Sequence, residues 1–183
     1  MKKITIVALL FIATNFAFCQ KLITRKGVIK FEASMPAFEE IAASNTSVSS
    51  ILDETSGDFV VLILLKAFKF KAPLMEEHFN ENYVESSKFP KATFKGKIIN
   101  FSASKLSTSK TAYDVEGDLT LHGVTKKVKA KVSLLKNAGN VSLSSDFLIK
   151  PQDYNIEIPS LVKNKIAENV KVSVNFVLVL EGK

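Results

Sequence analysis

The strongest constraint in this sequence is a period-two alternation of apolar and polar residues that recurs through most of its 183 residues. Successive side chains of a β-strand point to opposite faces, so the alternation predicts strands that each bury one face. The segment 170–180 shows the pattern most clearly, with an apolar residue at every second position. The predicted strands are 22–33, 45–52, 59–70, 92–101, 111–121, 124–135, 141–149 and 170–180. The third is apolar on both faces, which predicts burial on both sides.

One segment has a helical period instead. Pro73 suits the first position of a helix, and Glu76 and Glu77 suit its positive N-terminal end. The helix predicted over 74–84 carries an apolar stripe of Leu74, Met75, His78, Phe79 and Val84. We expect it to lie over one opening or side of the sheet. The long connection 151–169 has the length of a functional lid, and 36–43 predicts a short helix or turn.

The strand list fits two all-β architectures. Most joins are short, and His122-Gly123 predicts a tight hairpin. Eight antiparallel strands can close into an up-and-down barrel that is wide enough for side chains or one small ligand. A two-sheet sandwich predicts much the same list. The alternation alone leaves barrel and sandwich open.

The first residues have the order of an export signal. Lys2 and Lys3 precede the apolar stretch 4–13, and Ala17-Phe18-Cys19 resembles a small-x-small cleavage site. The sequence therefore predicts a signal peptide over 1–19, cleaved after Cys19, and one domain over 20–183 in the periplasm or the medium. A lipoprotein anchor at Cys19 is the alternative. It is disfavoured because bulky Phe18 stands where such signals carry a small residue.

Composition excludes several classes of site. Cleavage after Cys19 leaves no cysteine, which excludes disulfides, thiolate metal sites and cysteine nucleophiles. The chain has no phosphate-binding glycine loop, zinc spacing, nucleic-acid motif or Gly-x-Ser-x-Gly elbow. His78 and His122 stand apart, which favours structural hydrogen bonding. We expect no enzyme activity, no cofactor, no metal and no nucleic-acid partner.

Two further features remain open on the sequence. The formal net charge of +7, lowered by two when Lys2 and Lys3 are removed, is compatible with a membrane surface as well as with simple solubility. Asp118, with Thr120 and Thr125, forms either a polar ligand site or a cross-strand pair with Lys126 or Lys127. The oligomeric state is not predicted.

Several motifs resemble the YceI-like family. The segment 117–126 (GDLTLHGVTK) is similar to its most recognisable signature. The segments 73–83 (PLMEEHFNENY) and 88–94 (KFPKATF) resemble its helix and following strand, and 146–149 (DFLI) and 153–156 (DYNI) resemble its later part. The resemblance implies an eight-stranded, lipocalin-like antiparallel barrel, usually exported, whose members are taken to bind polyisoprenoid or other lipid-like molecules in an apolar channel. It favours the barrel over the sandwich.

A barrel of this kind predicts a ligand site from inward side chains. The candidate ligand-binding residues are Phe31, Phe68, Phe70, Phe94, Tyr113, Val115, Val132, Phe147, Val174 and Phe176. Tyr113 or a lysine at the mouth would orient the polar end of a lipid-like molecule. The alternative is that these side chains fill the barrel. The chain would then be an envelope protein that acts in protein interaction or stress response without a bound lipid. An outer apolar patch built from Val60, Leu62, Leu64, Val177 and Val179 would suit that role.

Overall fold

The computed structural model describes residues 20–36 and 38–182. The predicted signal peptide, residues 1–19, lies outside the described residues. The strands are β1 (Lys21–Ser34), β2 (Ala42–Asp53), β3 (Asp58–Leu64), β4 (Lys69–Phe70), β5 (Lys91–Ile98), β6 (Thr111–Leu121), β7 (Val124–Asn137), β8 (Asn140–Ile149) and β9 (Ile166–Leu180).

Eight of these strands form one closed antiparallel barrel. Each pairs with its neighbours in the order β1-β2-β3-β5-β6-β7-β8-β9, and β9 pairs with β1 to close the ring. The two-residue β4 pairs with the start of β2 and continues the line of β3. The predicted eight-stranded up-and-down barrel with one short helix is confirmed, and closure excludes the sandwich.

The two ends of the barrel differ. At the end that we call the mouth, the β6–β7 hairpin lies together with the helix and the β8–β9 connection. At the closed end lie the β2–β3 and β7–β8 turns. His122 and Gly123 have φ angles of 49° and 75°, and Ala138 and Gly139 have 48° and 83°. Two successive residues with positive φ match the twist of paired strands, which explains how both hairpins turn so tightly.

The alternation of β9 follows the prediction. Its inward residues Val172, Val174, Phe176 and Leu178 are buried, whereas its outward residues Lys171, Asn175, Val177 and Val179 are exposed. Because a closed sheet has only one interior, every second side chain must enter it. The alternation therefore identifies the inward face of each strand.

The third predicted strand is shorter than expected and is covered on one face only. It ends at Leu64, where a 3-10 turn at Leu65–Ala67 redirects the chain to β4. The outward side chains of Val60, Leu62 and Leu64 are 39%, 36% and 47% exposed. The expectation of burial on both sides is wrong because none of the described elements covers this face.

The register extends this exposed face into an apolar row across four strands. Val60 lies opposite Ile51, Ile51 opposite Ile23, and Ile23 opposite Val179. Val177, two residues before Val179, is also exposed. These side chains form the outer apolar patch that the sequence predicted.

The strands β6 and β7 carry opposite charges on their outer faces. Lys131 lies 2.6 Å from Asp114, Lys129 lies 2.8 Å from Glu116, and Lys127 lies 3.0 Å from Asp118. The predicted cross-strand pairing of Asp118 with Lys127 is confirmed. The hydroxyls of Thr120 and Thr125 are hydrogen-bonded to each other at 2.8 Å, so the polar residues of this hairpin contact one another.

The helical segment and the long connection also differ from their predicted bounds. The helix α1 (Pro73–His78) is followed by a π-helical turn, Phe79–Tyr83, in which the Val84 N–H donates to the Phe79 carbonyl at 2.9 Å. The β8–β9 connection is shorter than predicted because β9 already begins at Ile166. This connection contains 3-10 turns at Pro151–Tyr154 and Ser160–Val162.

Candidate functional site

A cavity of about 350 Å³ occupies the mouth half of the barrel. Three groups of side chains enclose it. The strand walls contribute Ile29, Phe31, Ile63, Ala92, Leu119, Leu121, Phe147, Ile149, Val170 and Val172. The helical segment and the chain before it contribute Phe68, Phe70, Met75, His78, Phe79, Tyr83 and Val84, and the β8–β9 connection contributes Pro151, Ile156, Ile158, Val162 and Lys165. This volume lies within the range of ordinary small-molecule sites.

Four phenylalanines form a cluster on one wall of the cavity. Phe79 of the π-helical turn stacks on Phe31 of β1, with ring centroids 5.4 Å apart. Phe68 and Phe70 lie 5.7 Å and 5.2 Å from Phe79. Rings at these separations attract one another beyond the burial of their area. The cluster therefore fastens the helical segment to β1 and β4.

A glutamate fastens the start of the helical segment to β4. The Glu76 carboxylate accepts hydrogen bonds from Lys69 Nζ at 2.5 Å and from the Phe70 N–H at 3.3 Å. The hydrogen bond from Lys69 lowers the pKa of Glu76 below its ordinary value. The charged carboxylate is thus the form that holds α1 in place over the mouth.

A histidine joins three loops at the mouth. His122 Nδ1 lies 3.0 Å from the Tyr154 carbonyl oxygen, and His122 Nε2 lies 2.7 Å from a carboxylate oxygen of Glu85. Its ring meets Phe89 edge to face at 4.5 Å. Since a carbonyl can only accept, Nδ1–H donates to Tyr154, and Nε2 faces the Glu85 carboxylate. The prediction of a structural, hydrogen-bonding His122 is confirmed.

Three polar side chains interrupt the apolar lining. His78 and Lys165 are exposed, which places them on the rim, and Tyr83 is half-buried. Burial raises the pKa of the Tyr83 phenol because the charged form is poorly solvated there. The cavity is therefore chemically suited to an apolar body whose polar end lies at the rim.

The predicted ligand-binding residues fall into two groups in the structure. Phe31, Phe68, Phe70 and Phe147 line the cavity. The other six point inward nearer the closed end and do not line it: Phe94, Tyr113, Val115, Val132, Val174 and Phe176. Period-two alternation identifies an inward face but contains no information on depth along the barrel. A role for any of the ten in binding a ligand stays a prediction.

Tyr113 in particular lies far from the rim. It pairs with Val132 near the closed end, where its ring lies 6.0 Å from that of Phe101. Its buried hydroxyl oxygen has no hydrogen-bond partner among the described residues. Among the described lysines, the one that belongs to the cavity lining is Lys165, in the β8–β9 connection.

Sequence reasoning missed the contribution of the β8–β9 connection to the lining. Ile156, Ile158 and Val162 line the cavity although they belong to no strand. Their signal was present in the sequence, since apolar residues recur within an otherwise polar connection that was predicted to act as a lid.

The described residues show neither a metal site nor a membrane-spanning helix. Within 20–36 and 38–182, no group of three or more His, Cys, Asp or Glu side chains could hold a metal ion. Helices of that same part of the chain are too short or too polar to cross a membrane.

Solved structures share the fold of this chain at low sequence identity. A polyisoprenoid binding domain from Saccharophagus degradans, implicated in plant cell wall breakdown, is similar with a TM-score of 0.76 and 19% identity, over 88% of this chain and 98% of that chain. BcnA of Burkholderia cenocepacia is similar with a TM-score of 0.68 and 16% identity, over 83% of this chain and 96% of that chain. The YceI protein of Campylobacter jejuni is similar with a TM-score of 0.62 and 14% identity, over 81% of this chain and 90% of that chain.

The family is settled by sequence rather than by these structures. No curated protein matches the chain significantly. The sequence model of the YceI-like domain, however, matches residues 21–178, which is nearly all of the described barrel. This chain belongs to the YceI-like family.

Proposed function

We propose that this protein is an exported carrier that holds an apolar, lipid-like molecule of the isoprenoid class in the cavity at the mouth of its barrel. The observation that carries the proposal is the cavity itself, about 350 Å³ enclosed almost entirely by apolar side chains. The similar Saccharophagus degradans domain, which is described as polyisoprenoid binding, supports this class of ligand.

Burial alone supplies the affinity. Each CH₂ group removed from water contributes about 0.8 kcal/mol, so about ten buried carbons contribute roughly 8 kcal/mol before the entropy of immobilisation is subtracted. One polar contact contributes about 1 kcal/mol. The shape and depth of the cavity therefore dominate selection, and Lys165 or His78 at the rim orients the polar end.

The lining suits binding without chemical change. Its polar side chains among the described residues are His78, Tyr83 and Lys165, and it includes no carboxylate, serine or cysteine. His78, Tyr83 and Lys165 can each exchange a proton, but no hydrogen bond joins any two of these three side chains, and the described lining places no hydroxyl or thiol nucleophile of Ser, Thr or Cys beside His78. The ligand is expected to leave as it entered.

The filled-barrel alternative describes only part of the molecule. Side chains fill the closed half, as that alternative requires, but the mouth half retains a cavity. The outer apolar row through Val60, Ile51 and Val179 exists independently of this cavity. A carrier function accounts for the hollow half, whereas a filled interaction module does not.

Export is the second part of the proposal. It rests on the order of Lys2 and Lys3, the apolar stretch 4–13 and the small-x-small ending at Cys19. N-terminal sequencing of protein from the periplasm or medium of its native host should find Gln20 first. A mature chain that still begins at Met1 contradicts export, and a lipid-modified Cys19 at the N-terminus contradicts the cleavage position.

The binding proposal is tested by native mass spectrometry and by titration with a fluorescent apolar probe. Protein from its native host should carry a co-purified lipid, and delipidated protein should bind one probe saturably, with displacement by farnesol. Ala92→Phe, which places a ring in the cavity, should abolish that binding. Ala112→Phe is the matched control because Ala112 is exposed on β6.

The possible outcomes distinguish failure of the carrier function from a wrong position of the site. Bare polypeptide that takes up neither probe nor farnesol contradicts a carrier. Equal loss of binding in folded Ala92→Phe and Ala112→Phe proteins contradicts the position of the site, since only Ala92 lines the cavity.

A further inference from the structure

Aromatic rings cross the interior of the barrel below the cavity. Phe94 of β5, Phe59 of β3 and Phe176 of β9 form a chain, with ring centroids 6.0 Å apart for Phe94 and Phe59 and 6.4 Å apart for Phe59 and Phe176. In the strand order, β5 and β9 are four steps apart around a ring of eight. The rings therefore connect opposite walls.

Below these rings the barrel is packed solid. Leu22, Leu52, Ile98, Leu134 and Leu178 all lie toward the closed end, and each is at most 1% exposed. Interiors of this kind are filled at the density of organic crystals, so they leave no channel for a ligand chain. The cavity thus has a floor, and the barrel is not open from end to end.

Phe94 lies just below the residues that line the cavity. It is the next inward residue of β5 after Ala92, which lines the cavity, and it lies opposite Leu119, which also lines the cavity. Its ring extends toward the closed end over two glycines that face each other, Gly96 and Gly117. A Cβ on Gly96 would lie 2.5 Å from Phe94 Cζ, and one on Gly117 would lie 2.8 Å from it. The glycines thus make the space that the ring occupies.

On the opposite wall, a glycine likewise makes space for an aromatic ring. A Cβ on Gly27 would lie 2.5 Å from Cδ1 of Phe176. Glycines on β1, β5 and β6 therefore admit the rings at both ends of the chain of aromatics. An alanine at any of the three positions would meet a ring.

The depth above the floor follows from strand geometry. Ile29 and Ala33 of β1 both line the cavity, and β1 pairs with β2 in regular register from Ile29 to Glu32. The strand between Ile29 and Ala33 is about 13 Å long at about 3.3 Å per residue, which is about 10 Å along the axis of a barrel whose strands tilt by about 40°. An extended carbon chain with bonds of about 1.5 Å rises about 1.25 Å per carbon, so about eight carbons fill this depth.

We propose that Phe94 is a specificity-determining residue whose ring blocks the barrel just below the lined cavity and limits the buried part of the ligand to an extended chain of about eight carbons, or about two isoprene units. This inference rests on the proposed carrier function and narrows it. A longer ligand binds with its remaining carbons outside the mouth, where further length adds no burial.

The test is a series of linear primary alcohols from butanol to octadecanol, measured by displacement of an apolar probe. A neutral head group keeps the charges at the rim from affecting the trend. For the wild type, each added methylene should tighten binding about fourfold until the chain reaches the floor. Beyond octanol the affinity should level off.

Phe94→Ala removes one of the rings that form the floor, and each homologue beyond octanol should then gain at least about fourfold over the wild type. Phe94→Leu is the second variant if the alanine variant does not fold, and it should show a smaller gain of the same sign. Phe101→Ala is the matched control, since Phe101 is a partly buried ring near the closed end that does not line the cavity. Its profile should match the wild type.

Two results overturn the inference about Phe94. One is an affinity of the wild type that keeps rising through octadecanol, and the other is a folded Phe94→Ala protein whose affinity levels off at the same length. If none of the alcohols binds the wild type saturably, the carrier function itself fails, and the inference fails with it.

Discussion

Replacement of His122 by alanine should destabilise the mouth of the barrel strongly. His122 lies in the β6–β7 hairpin and joins two other segments, through Glu85 after the helical segment and Tyr154 in the β8–β9 connection. Its side chain is only 9% exposed. Alanine would leave the buried carbonyl of Tyr154 and the carboxylate of Glu85 without this partner.

The magnitude follows from three contacts. The hydrogen bond to the Tyr154 carbonyl contributes about 1 kcal/mol. The contact with Glu85 contributes about 1 kcal/mol and no more, because the Glu85 side chain is 42% exposed and water screens the pair. The edge-to-face contact with Phe89 adds about 1 kcal/mol. His122→Ala should therefore lower the free energy of unfolding by about 3 kcal/mol, which lowers the Tm of a domain of this size by about 6–12 °C.

Two variants separate the contributions. His122→Asn keeps a residue that tolerates positive φ and can still hydrogen-bond, so it should lose less stability than His122→Ala. Glu85→Gln keeps a hydrogen-bonding partner for Nε2 but removes the charge, and should lose about 1 kcal/mol. The assays are differential scanning calorimetry and amide hydrogen exchange of all three loops. A Tm for His122→Ala within 2 °C or so of the wild type, with unchanged exchange in the loops that carry Glu85 and Tyr154, would refute the reasoning.

Three further predictions concern the wall and the lid. Gly117→Ala should lower the free energy of unfolding in urea by at least about 2 kcal/mol, because its Cβ would lie 2.5 Å from the Gly96 Cα, which is backbone and cannot swing away; an unchanged midpoint would contradict this. Glu76→Gln should speed hydrogen exchange in α1. In the wild type the same faster exchange should begin as the pH falls below the ordinary pKa of a glutamate, 4.5, because the hydrogen bond from Lys69 lowers the pKa of Glu76 in the folded protein. The contrary result is a Gln variant whose exchange depends on acid pH in the same way as the wild type. Burial raises the pKa of Tyr83, so the stability that the neutral phenol contributes is complete below a pH of about 10 and is lost as the pH rises further. Probe binding should therefore weaken at alkaline pH, and Tyr83→Phe should reduce that loss of binding.

The alternation predicted the strands well because each inward residue in a closed sheet has a single possible environment. The bounds of β6 are the predicted ones, and the inward residues Val115 and Leu119 are buried. The same rule failed for 59–70, where uninterrupted apolar residues concealed the turn at Leu65–Ala67. An apolar run lacks the period that separates inside from outside, so its outer face could be read as buried.

The candidate site was harder to predict because depth is a tertiary property. Phe70 and Phe176 have the same residue type and the same inward alternation, yet Phe70 lines the cavity and Phe176 fills the closed half. The two rings differ in the side chains that they face across the barrel, and those side chains depend on the register between strands that are distant in sequence. The pairing of Gly96 with Gly117 decides where Phe94 rests, and it involves strands that are joined by a long connection.

The direction in which aromatic rings point, rather than their number, decides whether this barrel is hollow. At the mouth, Phe31 packs sideways against Phe79 of the helical segment, on one wall of the cavity. In the closed half, glycines on the wall let Phe94 and Phe176 reach across the interior toward Phe59. Wall glycines and inward rings can therefore set the depth of the cavity in a barrel of this kind, while the strand pattern that specifies the fold stays the same.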